Sequence, residues 1–230
     1  GIDYDKFERL TRVEKVSRHS ATFKKSQQNL KIILSIDRLD YSKGIIQRLQ
    51  AMELLLQTHP HLVEKIALFM VVVPSRDTVP KYKELRDSID QLVGNINSRF
   101  RTISWTPIHY FYRSFSVEFL SALYSISDIC LVTPMRDGMN LVSKEYVASR
   151  TNNDGVLVLS EMAGASKELN DAIIVNPNNV GDMMRAIVKA IDMPLEEQQV
   201  RMSSMRHIVR KFNINLWVKN FMDKLKEVKE

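Results

Sequence analysis

The sequence is poor in cysteine and in the signatures of cofactor binding. Its one cysteine, Cys130, lies in an apolar stretch, so no internal disulfide can form and we expect an inert core thiol. We find no glycine-rich dinucleotide fingerprint, no Walker loop and no paired His/Cys spacing. These absences remove the sequence grounds for nicotinamide, Walker-type or zinc-site chemistry.

Long apolar runs are also missing. None reaches the roughly 18 residues that a bilayer-spanning helix needs, and the first residues lack a signal-peptide pattern. We therefore expect a cytoplasmic protein without a membrane partner. The composition, 44% hydrophobic and 26% charged over 230 residues, predicts a globular chain with one large α/β domain or two small ones.

An excess of positive charge is present but not concentrated. The formal net charge is +6 and the pI is near 9.3, values that suit a polyanion in principle. The lysines near the end, such as Lys224 and Lys226, alternate with acids, and no basic platform with interleaved aromatics occurs. We interpret these charges as a solvated face and expect no nucleic-acid partner.

Apolar runs alternate with helical patterns along most of the chain. This alternation predicts a doubly wound, parallel, six-stranded α/β sheet with ligands at the carboxyl ends of its strands. The predicted strands are residues 30–36, 66–73, 102–105, 128–133, 154–160 and 172–177. The predicted helices are 45–57, 79–93 (ended by a break at 94–97), 116–125, 141–149, 180–191, one from Pro194 onward and 215–227.

The stretch around residues 133–145 organises the chain. A buried strand leads through an acidic turn into a helix N-terminus, where unpaired N–H groups suit a phosphate. Gly138 is expected to permit a turn or close approach that a Cβ would forbid. Asp137 and Glu145 flank this end, and acids there suit a phosphate ligand that also carries sugar hydroxyls. Alternatively, Asp137 is a helix cap and Glu145 a solvated helix residue.

Basic residues follow the first two predicted strands. Arg38 and Lys43 lie on either side of one turn and can converge on an anion; the alternative is a surface loop with incidental charges. Arg76 follows the second strand, and one interpretation is that it pairs with Asp77 or Glu84. His109 lies in a predicted loop, 106–115, and we interpret it as a structural residue rather than a base.

Four motifs together resemble the trehalose-6-phosphate synthase family. They are DRLDYSKG at 37–44, VPSR at 73–76, RDGMNLV at 136–142 and LSEMAGA at 159–165. The resemblance runs in order along nearly the whole chain. It implies a retaining glycosyltransferase with two Rossmann-like domains facing each other across a cleft, the GT-B arrangement, of which this chain resembles the C-terminal, donor-binding half.

The resemblance also implies roles for individual residues. Catalysis would rest on Arg38, Lys43 and Asp137, with the two cations on the donor diphosphate and Asp137 on the glucose hydroxyls. Arg76 would bind the phosphate of the acceptor, glucose 6-phosphate. The remaining expected contacts to UDP-glucose are Glu145 at the ribose, the backbone at Ser114 and Phe115 facing the uracil, and the turn residues Gly138, Met139, Asn140 and Leu141. No metal or other cofactor is expected.

The resemblance divides the chain into three parts. Residues 1–29 would be a polar, poorly packed linker with a short amphipathic helix, 30–213 the UDP-glucose-binding domain, and 214–230 a helix that packs back on the N-terminal domain. An exposed apolar face on that helix would also permit homo-oligomers. Two other readings stay open: an inactive synthase-like binding or regulatory module, and a retaining transferase with a different nucleotide or acceptor.

Overall fold

A computed structural model describes residues 1–26, 30–76 and 78–227. The strands are β1 (Lys31–Arg38), β2 (Ile66–Val73), β3 (Ile108–Tyr112), β4 (Ile129–Val132), β5 (Val156–Ser160) and β6 (Ile173–Val175). The helices are α1 (Tyr4–Leu10), α2 (Glu14–Ser26), α3 (Ile45–Thr58), α4 (Pro80–Phe100), α5 (Val117–Ile126), α6 (Leu141–Ser149), α7 (Val180–Asp192), α8 (Leu195–Lys211) and α9 (Ile214–Glu227).

The six strands form one parallel sheet in the order β3-β2-β1-β4-β5-β6. The order reverses between β1 and β4, where Ile33 pairs with Ile129 and Leu34 with Cys130. In a doubly wound sheet this reversal opens a crevice at the carboxyl ends of the strands. The loops after β1 and β4 therefore border the place where a ligand is expected.

Helices cover both faces of the sheet, which is why the strands are apolar at successive positions. Ile33 faces a core layer built with α3, α4 and α7, whereas its neighbour Leu34 faces a second layer with α1, α5, α6 and α8. The doubly wound architecture predicted from the alternating pattern is confirmed.

The third strand is the one predicted at the wrong place. Residues 102–105 form no strand, and Ile103 is fully exposed. The strand is instead Ile108–Tyr112, inside the predicted loop, where it pairs with β2. It is an edge strand whose residues are mostly half-buried, so it lacks the continuous apolar run that marks a central strand.

Helix α4 continues through the break expected at residues 94–97. Val93 and Ile96 keep the buried face of the helix going, and open space surrounds the Cβ position of Gly94. Asn97 exchanges two hydrogen bonds with the backbone of Ile108, at 2.9 and 3.1 Å. The expected helix breaker therefore connects α4 to the start of β3.

The first residues are better packed than the sequence suggested. Ile2, Tyr4 and Phe7 are buried in the core layer that contains Leu34, and Val16 is fully buried on α2. Residues 1–26 thus contain two helices rather than one, and α1 packs on the core whereas most of α2 is exposed. Residues 27–29, the end of the proposed linker, lie outside the described residues.

The last helix presents an apolar face to solvent. None of the described residues of α9 is buried, and Trp217 stacks on Phe221 with ring centroids 5.4 Å apart.

Along the described ranges, no helix has both the length and the apolar character needed to cross a bilayer.

We predict opposite effects for two glycine-to-alanine substitutions. Gly94→Ala should raise the free energy of unfolding by about 0.5–1 kcal/mol, because alanine is the better residue inside a helix. Gly155→Ala should lower it by about 1–2 kcal/mol, because Gly155 has φ +86° and a Cβ would lie 2.4 Å from the Tyr146 hydroxyl oxygen. Urea unfolding of both variants measures the two changes. If Gly94→Ala gave no gain, α4 would not be continuous.

Candidate functional site

The turn after β1 is set by an aspartate and a glycine. Asp40 accepts hydrogen bonds from the backbone N–H and the hydroxyl of Ser42, at 2.9 and 2.7 Å. A single 3-10 turn, Tyr41–Lys43, follows, and Gly44 then adopts the left-handed conformation at φ 64°. A Cβ on Gly44 would lie 2.4 Å from the carbonyl oxygen of Thr133, so glycine permits both the turn and the close approach of the next loop.

The loops after β1 and β4 are joined through their backbones. The N–H groups of Met135 and Arg136 donate to the carbonyl oxygen of Ser42, at 2.7 and 3.2 Å. The two loops therefore form one continuous edge of the crevice.

An ion pair connects the same two loops at their outer surface. Lys43 Nζ lies 2.6 Å from Asp137 Oδ2. Burial opposes ionisation of Asp137, but the Lys43 hydrogen bond and charge, with further bonds from the Met139 N–H and the Asn140 side chain, hold its pKa below the usual range. Asp137 is thus a carboxylate with several donors around it.

The cap of α6 is Asn140 rather than Asp137. Asn140 has φ 71°, and its Oδ1 accepts from the Ser143 N–H at 3.0 Å. The alternative of Asp137 as the helix cap is therefore wrong. Within the described part of the chain, the N–H groups of Leu141 and Val142 have no acceptor, so the positive end of the helix stays open to an anion.

The constraint expected at Gly138 falls on its neighbour in space, Gly164. Gly138 has no positive φ, and a Cβ there would meet nothing within 4 Å. A Cβ on Gly164 would lie 2.1 Å from the Gly138 carbonyl oxygen, and the Gly164 N–H donates to the Asp137 carbonyl at 2.9 Å. The loop after β5 therefore supports the acidic turn from below, while the opposite side of Gly138 is open.

A buried arginine lies under this edge. Arg48 has no exposed surface, and its Nη1 lies 2.7 Å from Asp37 Oδ2. The guanidinium also bonds to the Ser35 hydroxyl, to Thr133 Oγ1 at 3.1 Å and to the Lys43 carbonyl oxygen at 3.0 Å. Burial raises the pKa of Asp37, and the Arg48 charge opposes this shift. One side chain thus fixes β1, the Lys43 turn and β4 together.

Arg48 was not among the site residues predicted from the sequence. A signal was present, because Arg48 lies on the buried stripe of α3, three residues after Ile45 and four before Met52. A charged residue on such a stripe needs a buried partner. Asp37, at the end of the preceding strand, was available as that partner.

Glu145 is not the solvated helix residue of the alternative reading. Its carboxylate is partly buried, and Oε2 accepts a 2.8 Å hydrogen bond from the hydroxyl of Tyr124. Burial raises the pKa of Glu145, while the Tyr124 hydrogen bond and the charge of Lys6 act in the opposite direction.

Two further arginines lie at the carboxyl ends of β1 and β2, which we call the rim of the sheet. Arg38 is exposed at the end of β1 and has no hydrogen-bond or ion-pair partner for its side chain among the described residues. Arg76 has φ 54° and donates to the Tyr82 hydroxyl at 2.8 Å. The ion pair with Glu84 is absent from the described ranges, and pairing with Asp77 lies outside them.

The loop after β3 carries the remaining predicted residues. Ser114 is exposed, and Phe115 is half-buried and stacks on Phe119 with centroids 4.3 Å apart. His109 stacks on Phe69, and burial lowers its pKa, which agrees with a structural role. No group of three or more potential His, Cys, Asp or Glu metal ligands occurs in the described ranges.

Comparison with known proteins identifies the family. The model of glycosyltransferase family 20 matches residues 1–227. The chain belongs to this family. The alpha,alpha-trehalose-phosphate synthase (UDP-forming) 1 of Aspergillus niger is 41% identical over 230 residues, which cover 100% of this chain and 44% of that protein. The 56 kDa subunit of the Saccharomyces cerevisiae UDP-forming synthase is 43% identical over 98% of this chain and 46% of its own length.

Solved structures of family members have the same fold. An alpha,alpha-trehalose-phosphate synthase (UDP-forming) from Burkholderia xenovorans, in complex with glucose-6-phosphate, superposes with a TM-score of 0.95 at 38% identity, over 98% of this chain and 50% of that one. An E. coli structure bound with UDP-2-fluoro glucose also gives 0.95, at 37% identity over the same fractions. The expected Rossmann-like fold of GT-B type is confirmed, and the chain spans about half the length of these family members.

Removing the buried arginine should destabilise the chain strongly. Arg48→Met leaves Asp37 buried without its counter-charge, so we expect the free energy of unfolding to fall by about 3–5 kcal/mol. The matched control is Arg99→Met, because Arg99 pairs with Glu53 at 3.4 Å on the exposed surface; that loss should stay below about 1 kcal/mol. Urea unfolding measures both, and equal losses would contradict the structural role given to Arg48.

Proposed function

We propose that this chain is the UDP-glucose-binding, catalytic part of a retaining glycosyltransferase, which transfers glucose from UDP-glucose to glucose 6-phosphate and forms trehalose 6-phosphate. The observation that carries this proposal is the edge between β1 and β4. There Lys43 pairs with a carboxylate, Asp137, which precedes an open helix N-terminus, and Arg38 lies exposed at the end of β1. A nucleotide sugar presents both an anionic diphosphate and hydroxyl groups to such an edge.

The diphosphate is expected to bind the two cations and the start of α6. Arg38 offers a planar guanidinium without a partner among the described residues, and Lys43 offers a point charge. The N–H groups near Met139, Asn140 and Leu141 add the positive end of the helix. Because these groups already balance the diphosphate, we expect donor binding without a metal or other cofactor.

Ligand binding changes the partner of Lys43. Its ammonium group contacts Asp137 at 2.6 Å, and a phosphate would compete for it. Asp137 would then accept hydrogen bonds from the glucose hydroxyls instead. The open side of Gly138 leaves room for the sugar. Lys43 and Asp137 thus pair with each other before the donor binds. Afterwards Lys43 binds its phosphate and Asp137 binds its glucose.

The other contacts follow the position of each residue on the rim. We propose Glu145 for the ribose hydroxyls and the backbone at Ser114 and Phe115 for the uracil. Arg76 would bind the phosphate of the acceptor, with Tyr82 holding its guanidinium.

The reaction we propose needs no protein nucleophile. The bond from the glucose anomeric carbon to the β-phosphate oxygen breaks, and the anomeric hydroxyl of glucose 6-phosphate forms the new bond on the same face. Its proton passes to the departing phosphate oxygen, which gives UDP and trehalose 6-phosphate. The negative charge that develops on this phosphate is stabilised by Arg38, Lys43 and the N-terminus of α6.

Turnover is expected to need more than these residues. The family members are about twice as long as this chain, and we propose that the acceptor site is completed by the part without a counterpart here. The exposed apolar face of α9, with Trp217 and Phe221, is the surface we assign to that contact. A second copy of the chain on this face is the competing occupant.

Titration calorimetry with UDP and UDP-glucose tests the donor site. Arg38→Ala should weaken both ligands by about 10- to 100-fold, because it removes a charge-assisted contact to the diphosphate. Asp137→Asn should weaken UDP-glucose but leave UDP equal or tighter, because Lys43 loses its competing partner. The binding of the unsubstituted chain should be the same in EDTA and in magnesium.

The control for Arg38→Ala is Arg18→Ala, since Arg18 is an exposed arginine on α2 that pairs with Glu14. The affinity of the Arg18→Ala variant for UDP and UDP-glucose should equal that of the unsubstituted chain. Equal weakening by both substitutions would show only a general charge effect. A folded chain that binds neither ligand would overturn a preformed donor site and favour a synthase-like module without activity.

A further inference from the structure

A buried tyrosine holds the carboxylate that we assign to the ribose. Tyr124 lies on α5 with no exposed surface, and its hydroxyl donates to Glu145 Oε2 at 2.8 Å. Within the described ranges, this is the one hydrogen bond to the Glu145 carboxylate. Tyr124 therefore fixes one oxygen of that carboxylate and leaves Oε1 available to a ligand.

The backbone of Tyr124, near the end of α5, is held by Arg150, the residue that follows α6. The Tyr124 carbonyl oxygen accepts from Arg150 Nη1 at 3.1 Å, and Arg150 pairs with Asp154 at 2.8 Å. The hydroxyl of Ser149 donates to the Glu145 carbonyl at 2.8 Å. These bonds fix the backbone of α5 at Tyr124 and the backbone of α6 at Glu145, from which the two bonded side chains extend.

We propose that Tyr124 is a positioning residue, which orients the Glu145 carboxylate toward the ribose hydroxyls of the nucleotide. This inference rests on the proposed donor site. A free glutamate side chain loses rotamer freedom when it binds a ligand, and this loss reduces affinity. A carboxylate that is already held by a buried hydroxyl avoids most of that cost.

The charges around Glu145 agree with this arrangement. Burial raises the pKa of Tyr124 well above its usual value, so Tyr124 remains a neutral donor. Cys130 on β4 also faces this region, and burial raises its pKa, so its thiol stays neutral. The charge of Lys6 on α1 acts to lower the pKa of Glu145. Removal of the Tyr124 hydroxyl should therefore raise the pKa of Glu145 further.

The test compares UDP with 2′-deoxy-UDP on three forms of the chain. In the unsubstituted chain, the loss of one ribose hydroxyl should weaken binding by about tenfold, as for a hydrogen bond to a charged group. In Tyr124→Phe, UDP should bind more weakly. The dissociation constant of 2′-deoxy-UDP divided by that of UDP, here called the ligand ratio, should fall toward one. A merely structural role would weaken both ligands equally and leave the ratio unchanged.

Tyr146→Phe is the matched control. Tyr146 is equally buried, and its hydroxyl donates to the carbonyl oxygens of Ser127 and Asp128, at 3.1 and 3.3 Å, rather than to Glu145. Its ligand ratio should equal that of the unsubstituted chain. A carbon-detected NMR titration of Glu145 adds a measurement without ligand, and its pKa should rise in Tyr124→Phe but not in Tyr146→Phe.

The outcomes separate this inference from the proposed function. If UDP binds and the ratio is unchanged in Tyr124→Phe, the positioning role is wrong and the donor site stands. If the unsubstituted chain binds both ligands equally, Glu145 does not contact the 2′-hydroxyl, and the role of Tyr124 falls with it. If neither ligand binds, the donor site itself is refuted.

Discussion

The edge of the crevice between β1 and β4 depends on the hydrogen bonds and the ion pair of the buried Arg48 guanidinium. This guanidinium bonds to the strand before the crevice, to the Lys43 carbonyl and to Thr133 at the end of β4. Burying a charge is costly unless a partner and hydrogen bonds compensate for it, and Asp37 with three further acceptors provides this compensation. The same bonds help to set the positions of Lys43 and Asp137, because Arg48 connects the loop after β1 to the loop after β4.

The edge above Arg48 balances charges that would conflict if a ligand carried only phosphate. An open helix N-terminus and two cations attract anions, whereas Asp137 and Glu145 repel them. Lys43 neutralises Asp137, and the hydroxyl of Tyr124 holds Glu145, so each acid has a partner of its own. This balance suits the proposed ligand, which carries both phosphates and hydroxyls.

The central strands and the shared edge could be predicted from sequence, because continuous apolar runs mark buried parallel strands and their carboxyl ends meet at one side. Residues 66–73 show this directly. The edge strand β3 could not be placed, since its half-buried His and Tyr residues resemble a loop. The choice of Asn140 over Asp137 as the cap depends on a positive φ, which the sequence does not reveal. Arg48 was missed although its position on an apolar stripe indicated a buried partner.

The reversal of strand order also has a consequence for folding. β1, β2 and β3 follow one another in the chain, as do β4, β5 and β6, and among the described strands the two groups pair only between β1 and β4. Lys43 and Asp137, which are 94 residues apart in sequence, lie on opposite sides of that seam. Closing so long a loop costs entropy before any contact compensates for it. The edge that carries Lys43 and Asp137 therefore forms only once the two groups of strands have joined, so the Lys43–Asp137 ion pair indicates a complete sheet.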